Sequence, residues 1–252
     1  MTIDWIDVSI LIVFGFLAAF IDSVVGGGGL ISIPALIATG LPPTTVLGTN
    51  KLASSFGALM SAINFLRAKQ VDFKYVMKLF PFACIASPIG VLVAYQLPAD
   101  ILKPLMLIVL SVVAIYTLFK KDFEQTKVKP NRMMVYILTV ILIFIAFYDG
   151  LFGGGTGTFL IFTLLMLGQS FLRAAGNAKV LNFASNISAL VFFIILGEVN
   201  FIYGLIMAAS MVVGSYVGSR LAILKGSSYV RILFIIVTFS LIIKGAYDYF
   251  VV

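Results

Sequence analysis

The sequence has no histidine, a single cysteine and few charged residues. Without histidine, a metal or catalytic site built on imidazole is impossible, and the lone Cys84 excludes a disulfide within the chain. Charged residues make up 11% of the 252 residues and hydrophobic residues 62%, whereas a soluble domain has about 25% charged and about 45–50% apolar residues. The composition therefore indicates an all-α, polytopic membrane protein.

The net charge of +7 would suit a nucleic-acid partner, yet the basic residues collect in short loops between apolar runs. Cytoplasmic loops of membrane proteins have this bias. We therefore interpret the charge as topology and expect no nucleic-acid partner. The expected location is a cell membrane of the bacterial inner-membrane type, with a multi-pass chain in contact with lipid.

Two glycine runs interrupt the apolar segments, each a few residues after an aspartate, Asp22 or Asp149. Glycine costs a helix about 0.8–1 kcal/mol relative to alanine, and lipid offers no water to the backbone groups that a break exposes. The runs therefore predict broken or re-entrant helices whose turns lie inside the protein or line a polar cavity. The runs are Gly26, Gly27, Gly28 and Gly29 in the first half, and Gly153, Gly154 and Gly155, followed by Thr156 and Gly157, in the second.

The second half of the chain repeats the first. Asp149 follows Asp22 by 127 residues, and after a one-residue insertion the offset becomes 128. The pairs at this second offset include Gly40/Gly168, Gly48/Gly176, Lys51/Lys179, Val71/Val199, Ser87/Ser215 and Gly90/Gly218. The duplication predicts about 8–10 helical segments in two membrane repeats, residues 1–119 and 133–252, joined by a polar cytoplasmic linker at residues 120–132.

Loop charges indicate how the two repeats are oriented. One loop of the first repeat carries Arg67, Lys69 and Lys74, whereas its counterpart around Glu198 carries only an acid, and the bias reverses in the next pair of loops. The positive-inside rule then predicts inverted repeats, each with an odd number of crossings, and both termini outside. Four full crossings in each half would instead make the repeats parallel.

One acid and one lysine in each repeat lie outside the loops: Asp22, Lys51, Asp149 and Lys179. An ionisable side chain at the centre of a membrane segment costs at least about 2.5–3.5 kcal/mol and by default marks a site or pathway. The alternatives are structural ion pairs or lysines that snorkel to the interface. Each lysine is expected near the start of a helix, where the dipole disfavours a cation, so a bound anion would explain its position.

Polar neighbours of the lysines favour the same site. Residues 49–50 and Asn177 are N-cap candidates, and Asn182 and Asn186 share one helix face with Lys179. Hydrogen bonding between helices is the alternative role for such a face. Adjacent glycines also expose backbone N–H groups, which can hold an anion without a side chain.

At these residues the sequence resembles a known family. The matching segments are Asp22 with Gly26–Gly29 and Pro34, Gly48-Thr49-Asn50-Lys51-Leu52, Asp149 to Gly157, and Lys179-Val180-Leu181-Asn182-Phe183 followed by Ser185-Asn186. They resemble the TauE/SafE sulfite exporter family, over nearly the whole chain. The resemblance implies a duplicated membrane protein that transports sulfur-containing anions such as sulfite and organosulfonates, without a nucleotide-binding domain. It also implies that the two glycine runs are facing loops of the substrate site.

Together these features predict a secondary transporter, not an enzyme, that exports small anions by alternating access at a midplane site, with sulfite or organosulfonates as substrates. Asp22 and Asp149 would balance the lysines in the empty site or carry a coupling proton. No cofactor or metal is expected. The predicted substrate-binding residues are Gly26, Gly27, Gly28, Gly29, Asn50, Lys51, Gly153, Gly154, Gly155, Thr156, Lys179, Asn182 and Asn186.

Two other functions stay open at this point. A proton-coupled cation carrier or channel would use the aspartates to bind the ion. An intramembrane enzyme would use them as acid and base, but the chain has no histidine and only two acids far from the loops. Transport direction, coupling ion and a homo-oligomeric assembly are also open.

Overall fold

The computed structural model describes residues 4–119 and 131–225. All regular structure in these two ranges is α-helical, which confirms the predicted fold class, and the nine helices of the described residues agree with the expected number of about 8–10 segments. The helices are α1 (Trp5–Val25), α2 (Gly29–Ala38), α3 (Pro43–Arg67), α4 (Phe73–Gln96), α5 (Ala99–Phe119), α6 (Arg132–Leu151), α7 (Thr156–Met166), α8 (Phe171–Ile195) and α9 (Phe201–Lys225). Almost all of the predicted linker, and the second repeat beyond residue 225, lie outside the described residues.

Five of the described helices, α1, α4, α6, α8 and α9, are long and apolar enough to cross a membrane. Their outward faces carry large apolar side chains that are more than half exposed, such as Val13, Ile85 and Phe144. Such a surface would promote aggregation in water but suits contact with lipid. The polytopic membrane class is therefore confirmed.

The glycine runs break the helices as predicted. Helix α1 ends at Val25, and both Gly26 (φ 80°) and Gly27 (φ 91°) have positive φ angles, as do Gly153 (φ 78°) and Gly155 (φ 81°) in the second run. The short helices α2 and α7 that follow have 10 and 11 residues. At 1.5 Å per residue each is about 15 Å long, half of the hydrocarbon core. Each break therefore joins a full-length helix to a half-length one.

The predicted positions of the two lysines near helix starts are wrong. Helix α3 begins at Pro43 and α8 at Phe171, so Lys51 and Lys179 are each the ninth residue of a helix. Proline suits the first helical position because its fixed φ and missing N–H fit there. The N-cap positions are occupied by Pro42 and Ser170 instead of the predicted residues.

The predicted cap residues bond to other segments. The hydroxyl of Thr49 accepts from the backbone N–H of Asn200 at 2.9 Å, and the side-chain oxygen of Asn177 accepts from the N–H of Asp72 at 2.8 Å. The side-chain oxygen of Asn50 accepts from the hydroxyl of Ser32 at 2.6 Å. The dipole argument for an anion at the start of each helix therefore falls, and the case for a site depends on what surrounds the lysines.

Helices α1, α3 and α9 run in the same direction. In each pair of contacting helices, residue numbers rise in the same direction along both helices. The contacts are Asp7 with Tyr203 and Phe20 with Gly218 between α1 and α9, and Leu52 with Gly204 and Asn64 with Ser219 between α3 and α9.

Helices α4, α6 and α8 run the opposite way. Helix α8 is antiparallel to α3, and α4 is parallel to both α8 and α6. Between α3 and α8 the contacts are Gly48 with Phe193 and Lys51 with Asn186. Between α4 and α8 they are Asp72 with Asn177 and Ser87 with Ser185. Between α4 and α6, Leu79 and Leu142 line one cavity, and Gly90 lies against Leu151.

Candidate functional site

The two glycine runs meet backbone against backbone. A Cβ atom at Gly26 would lie 2.1 Å from the backbone nitrogen of Thr158, and one at Gly29 would lie 2.8 Å from the carbonyl oxygen of Gly153. The hydroxyl of Thr158 donates to the carbonyl oxygen of Val25 at 3.1 Å. Only glycine permits this approach, so the turn of each broken helix is held against the turn of the other.

Two ion pairs cross between the halves of the chain at this point. Lys51 of α3 contacts Asp149, at the end of α6, with 2.9 Å between Nζ and Oδ1. Lys179 of α8 contacts Asp22, near the end of α1, with 2.6 Å between Nζ and Oδ2. Each lysine thus pairs with the aspartate of the other half. Both lysine side chains are buried, at 1% and 0% exposure.

Hydrogen bonds complete the coordination of both aspartates. The hydroxyl of Ser185 donates to Oδ2 of Asp149 at 2.5 Å, and the backbone N–H of Gly28 donates to Oδ1 of Asp22 at 3.1 Å. Buried charges are tolerated only when their remaining lone pairs and protons are satisfied in this way. The Gly28 N–H predicted to hold a substrate anion therefore holds the carboxylate of Asp22.

A small polar cavity lies between the ion pairs, with about 20 Å³ of space for the centre of a water molecule. That volume admits one water. The structure brings eight of the predicted residues together at its wall: Asp22, Gly28, Gly29, Asn50, Asp149, Gly153, Asn182 and Asn186.

The other predicted residues lie behind this wall. Lys179 contacts it through Asp22, and Lys51 through Asp149 and Asn186. Gly26 touches the opposite break, and the carbonyl oxygens of Gly27 and Gly155 accept bonds from the first turns of α2 and α7. The carbonyl oxygen of Gly154 accepts from the Tyr148 hydroxyl at 2.6 Å, and the Thr156 hydroxyl donates to the carbonyl oxygen of Gly153 at 3.2 Å.

Comparison with known proteins agrees with this architecture. A family model described as "Sulfite exporter TauE/SafE" matches residues 11–245. The chain belongs to the TauE/SafE family. "Probable membrane transporter protein" of Haemophilus influenzae (strain Rd) is 34% identical over 243 residues, 95% of this chain and 94% of that protein. No solved structure matches the chain.

Two further relatives of this TauE/SafE protein have similar lengths and names. "Probable membrane transporter protein ORF9" of a Sinorhizobium species is 36% identical over 236 residues, covering 93% of this chain and 90% of the relative. "Probable membrane transporter protein YfcA" of Escherichia coli K12 is 33% identical over 243 residues, covering 95% and 89%. The protein is therefore a multi-pass membrane transporter of the TauE/SafE family and not an enzyme.

The prediction missed half of the residues around the cavity of this TauE/SafE protein. Gly157 lies in the second glycine run, and Gly57 and Ala58 could have been found by comparing the two repeats. Ser215 was visible only as the repeat counterpart of Ser87, and the sequence carries no signal for Met211. The missed residues are Ala18, Ala19, Ser54, Gly57, Ala58, Gly157, Met211 and Ser215.

Proposed function

We propose that the protein is a secondary transporter that exports a small sulfur-containing anion, sulfite or an organosulfonate, through the cavity between the two ion pairs. The observation that carries the proposal is the pair of buried lysines, Lys51 and Lys179, each held by an aspartate where two broken helices meet. A buried ammonium group strongly favours an anion beside it, since leaving it unpaired costs several kcal/mol, about 3–5 for a broken buried pair.

The aspartates supply that anion when no substrate is bound. The carboxylate of Asp22 accepts from the Lys179 ammonium and from the Gly28 N–H. The oxygens of a sulfite or sulfonate group are hydrogen-bond acceptors like those of a carboxylate, and such groups bind lysines and the N–H groups at helix starts. Exchange of Asp22 for substrate would keep the lysine paired throughout.

Alternating access would follow from inverted repeats, which we propose here for residues 1–119 and 133–252. Three long helices of the first half run opposite to their counterparts at the 127–128-residue offset: α1 to α6, α3 to α8 and α4 to α9. The counterpart of α5 lies outside the described residues. This antiparallel relation is what inversion requires, and it supports a midplane site at the repeat interface.

Equivalent hydrogen bonds join the residues before α9 and α4 to the helices that carry the two lysines. At one face the Asn200 N–H donates to Thr49, and at the other the Asp72 N–H donates to Asn177. Thr49 and Asn177, like Asp72 and Asn200, are 128 residues apart. Opening toward either face would release one of these two bonds.

Export needs no coupling ion if the substrate is an anion. The membrane potential is worth about 2.3 kcal/mol per charge per 100 mV, and an anion that leaves a cell with a negative interior moves down this potential. An imposed potential should therefore accelerate flux in one direction and slow it in the other.

The transport proposal predicts opposite effects at the two members of one ion pair. In liposomes with labelled sulfite, Lys179→Ala should raise the half-saturation concentration by about 10- to 100-fold, because a charged hydrogen bond of about 1.5–3 kcal/mol is lost. Asp22→Asn should tighten sulfite binding, because the competing carboxylate is removed. A cation carrier would behave differently: Asp22→Asn would abolish cation flux, and sulfite would not compete. Sulfite flux unchanged in Lys179→Ala would contradict the proposal.

The inverted arrangement predicts which face is cytoplasmic. In a Cys84→Ala background, Lys74→Cys, at the basic end of α4, should react with a membrane-impermeant maleimide only after permeabilisation. Asp100→Cys, beyond the opposite end of α4, should react in intact cells. Both parent side chains are exposed, so access depends on the side of the membrane. Labelling of both sites from outside, or in the reverse order, would contradict this orientation.

A further inference from the structure

The two ion pairs occupy equivalent places in the repeats, but their surroundings differ. In the second half, Ser185 and Asn186 follow Lys179 on α8; at the equivalent positions on α3, 128 residues earlier, the chain has Gly57 and Ala58. The duplication therefore provides its own comparison, since one half carries two polar side chains that the other half lacks.

The Lys51–Asp149 pair is closed by these two side chains. Ser185 donates to Oδ2 of Asp149 at 2.5 Å, and the ammonium of Lys51 donates to Oδ1 of Asn186 at 3.1 Å. Oδ1 of Asp149 already contacts Lys51, and Nδ2 of Asn186 donates to the carbonyl oxygen of Asn182. Both members are 1% exposed. The polar atoms of this pair are thus already committed, although Asp149 and Asn186 lie at the cavity wall.

The Lys179–Asp22 pair is open on the side of the cavity. Asp22 is 22% exposed while Lys179 is fully buried behind it. Gly57 and Ala58 line the cavity beside Asp22, together with Ala18 and Ala19. A Cβ atom at Gly57 would lie 3.1 Å from the hydroxyl oxygen of Ser215, so this wall is closely packed. Gly57 and Ala58 therefore offer the Lys179–Asp22 pair no polar side chain, whereas Ser185 and Asn186 bond to the Lys51–Asp149 pair.

We propose that the two ion pairs have different roles: the substrate anion replaces Asp22 at Lys179 and lies against Gly57 and Ala58, while the Lys51–Asp149 pair stays closed throughout transport. This inference rests on the proposed function and refines it. The charged group of the substrate would face Lys179 and Gly28. The cavity admits one water as it stands, so the anion enters only when the walls move apart. The small side chains Ala18, Ala19 and Ala58 then favour sulfite and short alkyl sulfonates over bulky ones.

The test copies the closed half into the open one. The double variant Gly57→Ser/Ala58→Asn should give Asp22 and Lys179 the hydrogen bonds that their counterparts have. Sulfite and methanesulfonate binding, measured as ligand-induced thermal stabilisation in detergent, should weaken by at least about ten-fold. The melting temperature without ligand should stay equal or rise, because the open pair is closed. Liposome flux should fall in parallel.

The reciprocal variant Ser185→Ala should show the opposite division of effects. It removes a hydrogen bond from Asp149, so it should lower the melting temperature while the half-saturation concentration for sulfite stays close to that of the wild type. If the double variant does not fold, Gly57→Ala alone adds bulk at the same wall and should weaken sulfite binding while leaving a measurable melting transition.

The outcomes separate this inference from the function on which it rests. Absence of sulfite and methanesulfonate flux in the wild type would overturn the proposed function, and this inference with it. If the folded variant Gly57→Ser/Ala58→Asn transports sulfite with the flux and half-saturation concentration of the wild type, only the proposed difference between the two ion pairs is overturned. Loss of ligand binding in that variant, with its melting temperature retained, would support it.

Discussion

Replacing Lys51 with methionine is expected to destabilise the folded protein by about 3–5 kcal/mol, because it leaves the Asp149 carboxylate buried without its counter-charge. Both side chains of this pair are 1% exposed, so the carboxylate has little solvation to replace the ammonium. Among the described residues, the Ser185 hydroxyl would remain as its side-chain donor. Unfolding of purified protein in detergent, followed by thermal or denaturant titration, measures the loss.

The double variant Lys51→Met/Asp149→Leu is the control for this prediction. Replacing both members of a buried ion pair with apolar residues of similar size is often neutral or stabilising. The double variant should therefore recover most of the stability lost in Lys51→Met. Equal destabilisation in the single and double variants would mean that Lys51 contributes by packing and not by pairing with Asp149.

Lys179→Met should be less destabilising than Lys51→Met. The partner Asp22 is 22% exposed and keeps the N–H of Gly28 as a donor, so its carboxylate retains partial solvation when the lysine is lost. The order of the two losses compares the closed and open pairs directly. A larger loss at Lys179 would contradict the description of its pair as the more open one.

The sequence predicted the breaks in the helices because their cause is local. Adjacent glycines such as Gly26 and Gly27 adopt backbone angles that a helix does not use, and no tertiary contact is needed to expect this. The predicted helix starts were wrong because the cause of their positions is not local. Polar residues around Lys51 suggested a terminus, whereas the structure places them mid-helix, where their partners are on other segments.

The pairing of charges could not be predicted from spacing. Asp22 and Lys51 belong to one repeat, yet each bonds to a residue of the other. Which acid meets which lysine depends on how the repeats face one another, and this information is not local. The difference between Gly57 and Ser185 was visible in the sequence, but it had no meaning until both pairs could be compared in space.

Helix α3 illustrates why hydropathy alone undervalues the centre of this protein. It has 25 residues, like α8, but it is not among the five apolar spans of the described residues. Its polar side chains, including Asn50, Lys51 and Ser55, are buried and bond within the protein. A helix surrounded by other helices does not need a lipid-compatible surface, so a transport site can be built on it.

Gly26→Ala is expected to cost more than about 4 kcal/mol, at the extreme end for a single methyl group. Gly26 has φ 80° and ψ 179°, a region that is almost exclusive to glycine. The added Cβ would also lie 2.1 Å from the backbone nitrogen of Thr158 and 2.2 Å from the carbonyl carbon of Gly157. Backbone atoms cannot rotate away as a side chain can, so the two broken helices would have to separate. The yield of monodisperse protein in detergent and its melting temperature measure the effect.

Gly40→Ala is the control, because it separates backbone strain from the contact between the breaks. Gly40 also has a positive φ of 75°, but a Cβ atom there would meet nothing within 4 Å. It should cost only about 1–2 kcal/mol, the strain of a left-handed residue with a side chain. Gly157→Ala disrupts the same contact as Gly26→Ala from the opposite glycine break, since its Cβ would lie 2.8 Å from the Cα of Gly26. If Gly26→Ala and Gly157→Ala are no more harmful than Gly40→Ala, the two glycine breaks are not pressed together, and the substrate site must be wider than the structure shows.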